Sequence, residues 1–269
     1  MDLIRPYLER DTAVESITHS AIFVCGLAVL YVGAETLVKG AVRLARAFGV
    51  SPLVIGLTLV AFGTSTPELS LDLTAAFKRA GELAFGDLVG SNIANVGLIL
   101  GVAALIRPLR VQMRVLRIEV PIVIGTSLGV WILAADGHLG RLDGAILVAC
   151  FVAFLVSTYR LARRESPEVR EQLERQATDR TTHVRSLLLV LAGLVGLVIG
   201  AQLMVHSAVE MARGLGVSEL VIGLTIVAVG TSLPELATSI VAARRGESDI
   251  VVGNVLGSNI VNILCVLGL

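Results

Sequence analysis

Residues 49–69 read GVSPLVIGLTLVAFGTSTPEL, and residues 216–236 read GVSELVIGLTIVAVGTSLPEL. The match continues without a gap, at an offset of 167, through GDLVGSNIANVGLILG at 86–101 and GNVLGSNIVNILCVLG at 253–268. In total, 27 of the 53 aligned positions are identical. Chance similarity between apolar helices would repeat Leu, Val and Ala, but not Gly-Thr-Ser-x-Pro-Glu together with Gly-Ser-Asn-Ile-x-Asn. The chain therefore contains an internal repeat.

The composition around the repeat is that of a membrane protein. Of the 269 residues, 55% are hydrophobic and 16% are charged, whereas a soluble domain has roughly 25% charged residues. The 27 glycines would let transmembrane helices approach closely. The net charge is zero, which gives no indication of a nucleic-acid partner. We predict an all-α, polytopic protein whose main partner is the lipid bilayer.

Eight stretches are long and apolar enough to be spans, each of which needs about 20 residues. They are residues 19–38, 51–76, 84–106, 118–135, 143–160, 186–208, 218–243 and 250–269. Span 2 opens the first repeat and span 7 the second. Five spans separate their starts, and because this number is odd the two repeats enter the membrane from opposite sides. Such inverted-topology repeats are typical of secondary transporters.

The symmetry also predicts the domain organisation. We expect a first membrane half at 1–160 (repeat 49–101), a charged linker at 161–185 and a second half at 186–269 (repeat 216–268). The counterpart of residues 102–161 does not follow the second repeat. We therefore expect the second half to be truncated, with eight spans present of an expected ten.

The distribution of basic residues predicts the orientation. Of the 22 Lys and Arg residues, 16 fall in the connections after spans 1, 3, 5 and 7. Cytoplasmic connections carry an excess of Lys and Arg. We expect an integral protein of the cell (inner) membrane with its N-terminus outside and the linker 161–185 in the cytoplasm.

Glu68 and Glu235 occupy equivalent positions in the middle of spans 2 and 7. An ionisable group there costs at least ~2.5 kcal/mol, and neither span contains a Lys or Arg to pair with it. Each carboxyl group must therefore bind a cation, take up a proton or face water. Two carboxylates that converge from inverted repeats, with neutral oxygens around them, suit Ca²⁺. The alternative is two protonated glutamates that only bond neighbouring helices.

The residues before each glutamate predict a break in the helix. Pro67 and Pro234 lack an N–H and clash with the preceding turn, and a glycine precedes each by four residues. Unpaired carbonyls are tolerated in a membrane only when they are buried or line a cavity, where they can ligate an ion. Hydroxyl groups follow the glycines, at Thr64, Ser65, Thr231 and Ser232. For the two threonines, helix packing is an equally good explanation.

The Gly-Ser-Asn-Ile-x-Asn motif places more oxygens on the next span. Two residues four apart share one helix face, as do Ser91 with Asn95 and Ser258 with Asn262. We expect these faces to point towards the glutamate of the preceding span. Asn92 and Asn259 lie off this face, and we expect them to form helix–helix hydrogen bonds.

Two further acidic residues break the symmetry. Asp72 lies one turn after Glu68, and its counterpart is Ser239. It either lines an access path or reaches the outer interface. Asp87 corresponds to Asn254 and lies near a span end, where we expect it to face water.

GTSTPEL with GSNIAN, and GTSLPEL with GSNIVN, resemble the two α-repeats of the sodium/calcium exchangers, in the prokaryotic branch of the cation/calcium antiporter superfamily. The resemblance implies ten spans and antiport, in which Na⁺ entry drives Ca²⁺ extrusion at a shared site. It implies carboxylate ligands at Glu68 and Glu235. It also implies neutral oxygens, from the threonines through backbone carbonyls and from serines at flanking Na⁺ sites, at Thr64, Thr231, Ser65, Ser232, Ser91, Ser258, Asn95 and Asn262.

One position departs from the family pattern, because sodium/calcium exchangers often have Asp where this chain has Asn262. The missing charge leaves the driving ion open, and a Ca²⁺/H⁺ exchanger is the alternative, since a buried carboxyl group can bind a proton. A cation channel is a weaker alternative. An enzyme is not expected, because Ser65 and Ser232 have no His or Lys base nearby in the sequence. No cofactor is expected besides the transported ions.

Overall fold

The computed structural model describes residues 5–78, 80–162 and 181–269, and every regular element in these ranges is a helix. Six helices are long and apolar enough to cross a membrane, and two bent helix pairs bring the number to eight. The spans are Ile17–Phe48, Pro52–Phe77, Ala84–Ile106, Met113–Asp136, Arg141–Ala162, His183–Gly214, Glu219–Arg245 and Ser248–Val266. The predicted all-α architecture with eight spans is confirmed.

The helices begin and end as follows. The α-helices are Arg5–Phe48, Pro52–Ile55, Ala61–Thr64, Thr66–Phe77, Gly81–Ala94, Leu100–Ile106, Met113–Arg117, Glu119–Leu133, Arg141–Ala162, Thr181–Gly214, Glu219–Ile222, Ala228–Thr231, Leu233–Arg245 and Ser248–Ile260. Ala134–Asp136 is a 3₁₀ turn, and π-helical turns occur at Gly56–Val60, Asn95–Ile99, Gly223–Val227 and Val261–Val266. The π-helical turns fall at matching places in the two repeats, and such turns often mark functional sites.

Spans 2 and 7 are bent at the predicted position. Span 2 consists of 2a (Pro52–Thr64) and 2b (Thr66–Phe77), which meet at 46°, and span 7 of 7a (Glu219–Thr231) and 7b (Leu233–Arg245), at 42°. Ser65 and Ser232 are the non-helical residues at the two bends. Because the proline two residues later cannot donate to the preceding turn, the helix restarts and each glutamate lies in its first turn.

Spans 1 and 6 pack against each other through glycines. An added Cβ at Gly193 would lie 2.5 Å from the backbone nitrogen of Leu37, and one at Gly200 would lie 2.5 Å from that of Leu30. The helices that contain these spans, Arg5–Phe48 and Thr181–Gly214, extend well beyond the predicted limits of 19–38 and 186–208. A hydropathy window detects only the apolar part of a helix, whereas these helices continue into polar sequence.

Span 8 forms the centre of the bundle. Its α-helical part is buried from Ile250 to Ile260, while large apolar side chains such as Phe77, Leu105 and Trp131 are exposed on other spans. An exposed apolar surface of this kind fits contact with lipid chains. The polar residues of span 8 are therefore held inside the protein.

The linker is only partly described. The flanking helices reach Ala162 and begin again at Thr181, so that residues 161–162 and 181–185 of the predicted linker are helical. Residues 163–180 lie outside the described residues. The division into two membrane halves and a linker stays a prediction.

Candidate cation site

Both glutamates are buried in the middle of the bundle. The side chains of Glu68 and Glu235 are almost fully excluded from solvent, and each lies within hydrogen-bonding distance of the serine at the bend of the other glutamate's span. The two bends therefore bring the equivalent carboxylates of the repeats together. Two uncompensated carboxylates in an apolar interior are costly unless a cation or protons accompany them.

Each glutamate is contacted by a serine from the opposite repeat. The hydroxyl group of Ser65 donates to Glu235 Oε1 over 3.1 Å, and that of Ser232 donates to Glu68 Oε1 over 3.3 Å. The side chains of Thr64 and Ser258 also lie beside the Glu235 carboxylate. The two hydrogen bonds from Ser65 and Ser232 follow the internal two-fold symmetry, so that each half of the site is built from both repeats.

The asparagines form a second layer of contacts between spans 3 and 8. Asn95 Nδ2 donates to Asn259 Oδ1 over 2.9 Å, and Asn262 Nδ2 donates to Ser91 Oγ over 3.2 Å. Asn92 accepts from Asn259 through its carbonyl oxygen, which confirms the predicted helix–helix role of this pair. These hydrogen bonds of Ser91 and Asn95 run to span 8, not to Glu68 as the helix faces suggested.

Several buried oxygens of the site have no hydrogen-bond donor among the described residues. They are Glu68 Oε2, Glu235 Oε2, Asn95 Oδ1 and Asn262 Oδ1. Buried acceptors are almost always paired, and this concentration of free oxygens is a donor set that could hold a cation. The described part of the chain has no cluster of three or more His, Cys, Asp or Glu side chains with metal-binding geometry. A cation here would therefore need neutral oxygens beside the two carboxylates.

All ten predicted site residues are buried in this region: Thr64, Ser65, Glu68, Ser91, Asn95, Thr231, Ser232, Glu235, Ser258 and Asn262. The threonine hydroxyl groups serve the framework, since Thr64 donates to Asn254 Oδ1 and Thr231 donates to the carbonyl oxygen of Ala228. Asn254 was not among the predicted site residues. It also donates to the backbone carbonyl oxygen of Glu235 over 3.3 Å. The sequence did offer one indication of its role, because the second repeat has Asn254 where the first has Asp87.

A cavity of about 460 Å³ reaches the site from one side. It lies between the first half of span 3 and span 7a and extends to Ser91 and Ser232. The equivalent space in the other repeat, between span 8 and span 2a, is closed. There, an added Cβ at Gly253 would lie 2.8 Å from the carbonyl oxygen of Leu53. The two inverted repeats therefore have the same sequence pattern but different packing.

The family model for the sodium/calcium exchanger protein matches residues 18–160 and 185–269, which is most of the chain. The chain belongs to the sodium/calcium exchanger family. This family consists of transporters that exchange cations, and not of enzymes. As a sodium/calcium exchanger family member, the protein is a polytopic cation/Ca²⁺ antiporter of the membrane.

Relatives of this family occur in bacteria and archaea. The inner membrane protein YrbG of Escherichia coli is 42% identical, over 93% of this chain and 78% of its own. The sodium/calcium exchanger MaX1 of Methanosarcina acetivorans is 34% identical, over 92% of this chain and 81% of its own. Among solved structures, the sodium-calcium exchanger NCX_Mj, soaked with Na⁺ and Ca²⁺, matches with a TM-score of 0.82 and 36% identity, over 94% of this chain and 81% of its own.

Proposed function

We propose that this antiporter exchanges Ca²⁺ for Na⁺ at one site shared by its two repeats. The observation that carries the proposal is the pair of buried carboxylates, Glu68 and Glu235, surrounded by acceptor oxygens without donors. A hard cation that takes roughly 6–8 oxygens, such as Ca²⁺, suits this donor set. Two carboxylates balance the charge of one Ca²⁺, and Na⁺ can use the same oxygens when Ca²⁺ leaves.

The remaining predicted residues act as neutral ligands in this proposal. The O–H groups of Ser65 and Ser232 already bridge the repeats, and the lone pairs of the same oxygens can bind Na⁺. The backbone carbonyls at Thr64 and Thr231 lie at the helix bends, where an unpaired carbonyl can face an ion. Ser91, Ser258, Asn95 and Asn262 complete the set.

Transport follows an alternating-access mechanism in this proposal. The cavity beside span 7a opens the site to one side, while the glycine contacts between spans 2a and 8 close the other. Because the repeats are inverted, exchanging these two packings would close the open side and open the closed one. A channel needs both sides open together, and one closed side favours exchange over a channel.

The open side is the outside in the proposed orientation, with the N-terminus outside and the linker in the cytoplasm. The support is the excess of Lys and Arg in the connections after spans 1, 3, 5 and 7. In a variant without native cysteines, Arg110→Cys is expected to react with a membrane-impermeant maleimide only from the cytoplasmic side. His138→Cys, on the next connection, is the matched control and is expected to react only from outside. The reverse labelling would overturn the orientation.

The driving ion is tested by Ca²⁺ uptake into liposomes that contain the purified protein. Uptake is expected to require internal Na⁺ and to fall to the level of protein-free liposomes when K⁺ replaces it. Uptake that ignores Na⁺ but follows an imposed pH gradient would establish the Ca²⁺/H⁺ exchanger, which the uncharged Asn262 favours. Uptake indifferent to both gradients would contradict exchange altogether.

A further inference from the structure

Two acidic residues of the first repeat lie together beside the proposed site, and the proposed exchange does not use them. Asp72 lies on span 2b and Asp87 at the start of span 3, two helices that pack against each other. Asp87 also faces the charge of Glu68. The three carboxylates therefore belong to one helix pair, span 2b with the first half of span 3.

Both aspartates have buried carboxylate oxygens without a hydrogen-bond partner among the described residues. Asp72 is 5% exposed, and within the described ranges neither of its carboxylate oxygens has a hydrogen-bond partner. The same is true of Asp87 Oδ2. An unpaired buried carboxylate is costly, and a second one beside it adds repulsion. A cation between the two would remove both costs.

In the second repeat, the equivalent two positions carry neutral side chains that hydrogen-bond to each other. The counterparts of Asp72 and Asp87 are Ser239 and Asn254, and Asn254 Nδ2 donates to Ser239 Oγ over 3.2 Å. Asn254 also accepts from Thr64, so that this pair is neutral and hydrogen-bonded. The same backbone arrangement thus carries a closed neutral pair in one repeat and an open acidic pair in the other.

The acidic pair lies where water and ions can reach it. Asp87 lines the cavity of about 460 Å³ that extends to Ser91 and Ser232. The exposed residue Glu82 lines the same cavity and shares a second one with Asp72. Water in these cavities can supply the ligands that two carboxylates lack, since Ca²⁺ accepts waters in its coordination shell.

We propose that Asp72 and Asp87 form a second, partly hydrated divalent-cation site, which holds Ca²⁺ at the open side before it moves to Glu68. This inference rests on the proposed function for the transfer step, although the site itself requires only cation binding. Charged clefts raise the local concentration of an attracted ion by about 10- to 1,000-fold. The asymmetry between the repeats would place this concentration at one side of the membrane only.

The test is equilibrium binding of ⁴⁵Ca²⁺ to the purified protein, without Na⁺ or any gradient. The decisive variant is Asp72→Ser with Asp87→Asn, which copies the pair that the second repeat already accommodates. The unchanged protein is expected to bind two Ca²⁺ per chain, and the double variant is expected to bind one. A variant with both Glu68→Gln and Glu235→Gln is also expected to bind one Ca²⁺, with a lower affinity than the double variant. In liposomes, the double variant is expected to need about tenfold more external Ca²⁺ for half-maximal uptake.

Equal Ca²⁺ stoichiometry in the unchanged protein and the double variant would overturn the second site, as would a complete loss of binding in the glutamate variant. Asp136→Asn with Asp143→Asn removes two acidic charges that accept from backbone N–H groups of the connection after span 4, and it controls for net charge. Should the double variant unfold early by thermal melting, Asp87→Asn alone gives the same comparison. A second site that is found without Na⁺-driven uptake would overturn the exchange proposal and leave this one standing.

Discussion

Changing either Glu68 or Glu235 to Gln is expected to lower Ca²⁺ uptake at least about 100-fold, whether a Na⁺ gradient or a pH gradient drives the uptake. Each carboxylate supplies half of the charge that balances one Ca²⁺, and the number of charged ligands sets Ca²⁺ affinity over several orders of magnitude. A 100-fold loss corresponds to about 2.8 kcal/mol. Gln keeps the size of the side chain and an oxygen that can accept from the serine of the opposite repeat.

Thermal unfolding separates loss of the site from loss of the fold. Ca²⁺ is expected to raise the Tm of the unchanged protein, because it binds the folded state, and to have a much smaller effect on the two variants. Without Ca²⁺ the variants are expected to melt no earlier than the unchanged protein, since one of two repelling buried charges is gone. Glu219→Gln is the control, because this exposed residue pairs with Arg213 at the surface. Normal uptake in both site variants would show that the glutamates are not ligands.

The features that depend on neighbouring residues of one chain segment could be predicted from the sequence. The eight spans follow from hydropathy, and the bends at Ser65 and Ser232 follow from a proline two residues later. The burial of Glu68 and Glu235 follows from their place in the middle of apolar spans. Each of these predictions depends on neighbouring residues of one segment, and the structure confirms all three.

The contacts between segments could not be predicted in the same way. Helical periodicity places Ser91 and Asn95 on one face, but it does not say which way the helix is turned. The structure directs these side chains to span 8, and it pairs Ser65 with Glu235 and not with Glu68. Such pairings depend on the tilt and rotation of packed helices. The shared motifs of the two repeats likewise do not say which repeat is open and which is closed.

Glycines at equivalent positions lead to a second prediction with a large effect. Gly253 and Gly257 of span 8 pack tightly on span 2a, where an added Cβ at Gly257 would lie 2.6 Å from the Cβ of Ala61. Their counterparts, Gly86 and Gly90 of span 3, line the cavity opposite Gly223 of span 7a. Among the described residues, no atom outside their own helix lies within 4 Å of a Cβ built on these three glycines.

Gly86→Leu is therefore expected to leave Ca²⁺ binding within about threefold of normal and to lower exchange at least about tenfold. In the open packing there is room for the larger side chain. There is no room for it if span 3 packs on span 7a as tightly as span 8 packs on span 2a. Extra methylenes in a tight contact cost about 1–3 kcal/mol, and each 1.4 kcal/mol is a factor of ten in the population of the closed state.

The comparison of binding with transport makes this result specific. Equilibrium binding of ⁴⁵Ca²⁺ reports the open state, while uptake into liposomes requires both states in turn. Gly125→Leu is the control, because Gly125 is also helical, exposed and without neighbours within 4 Å in the described part of the chain, but it lies on span 4 and outside the cavity. Equal losses of binding and uptake in Gly86→Leu would mean that the substitution damages the site itself. Undiminished exchange would mean that the open side closes by another movement, in which spans 3 and 7a do not meet.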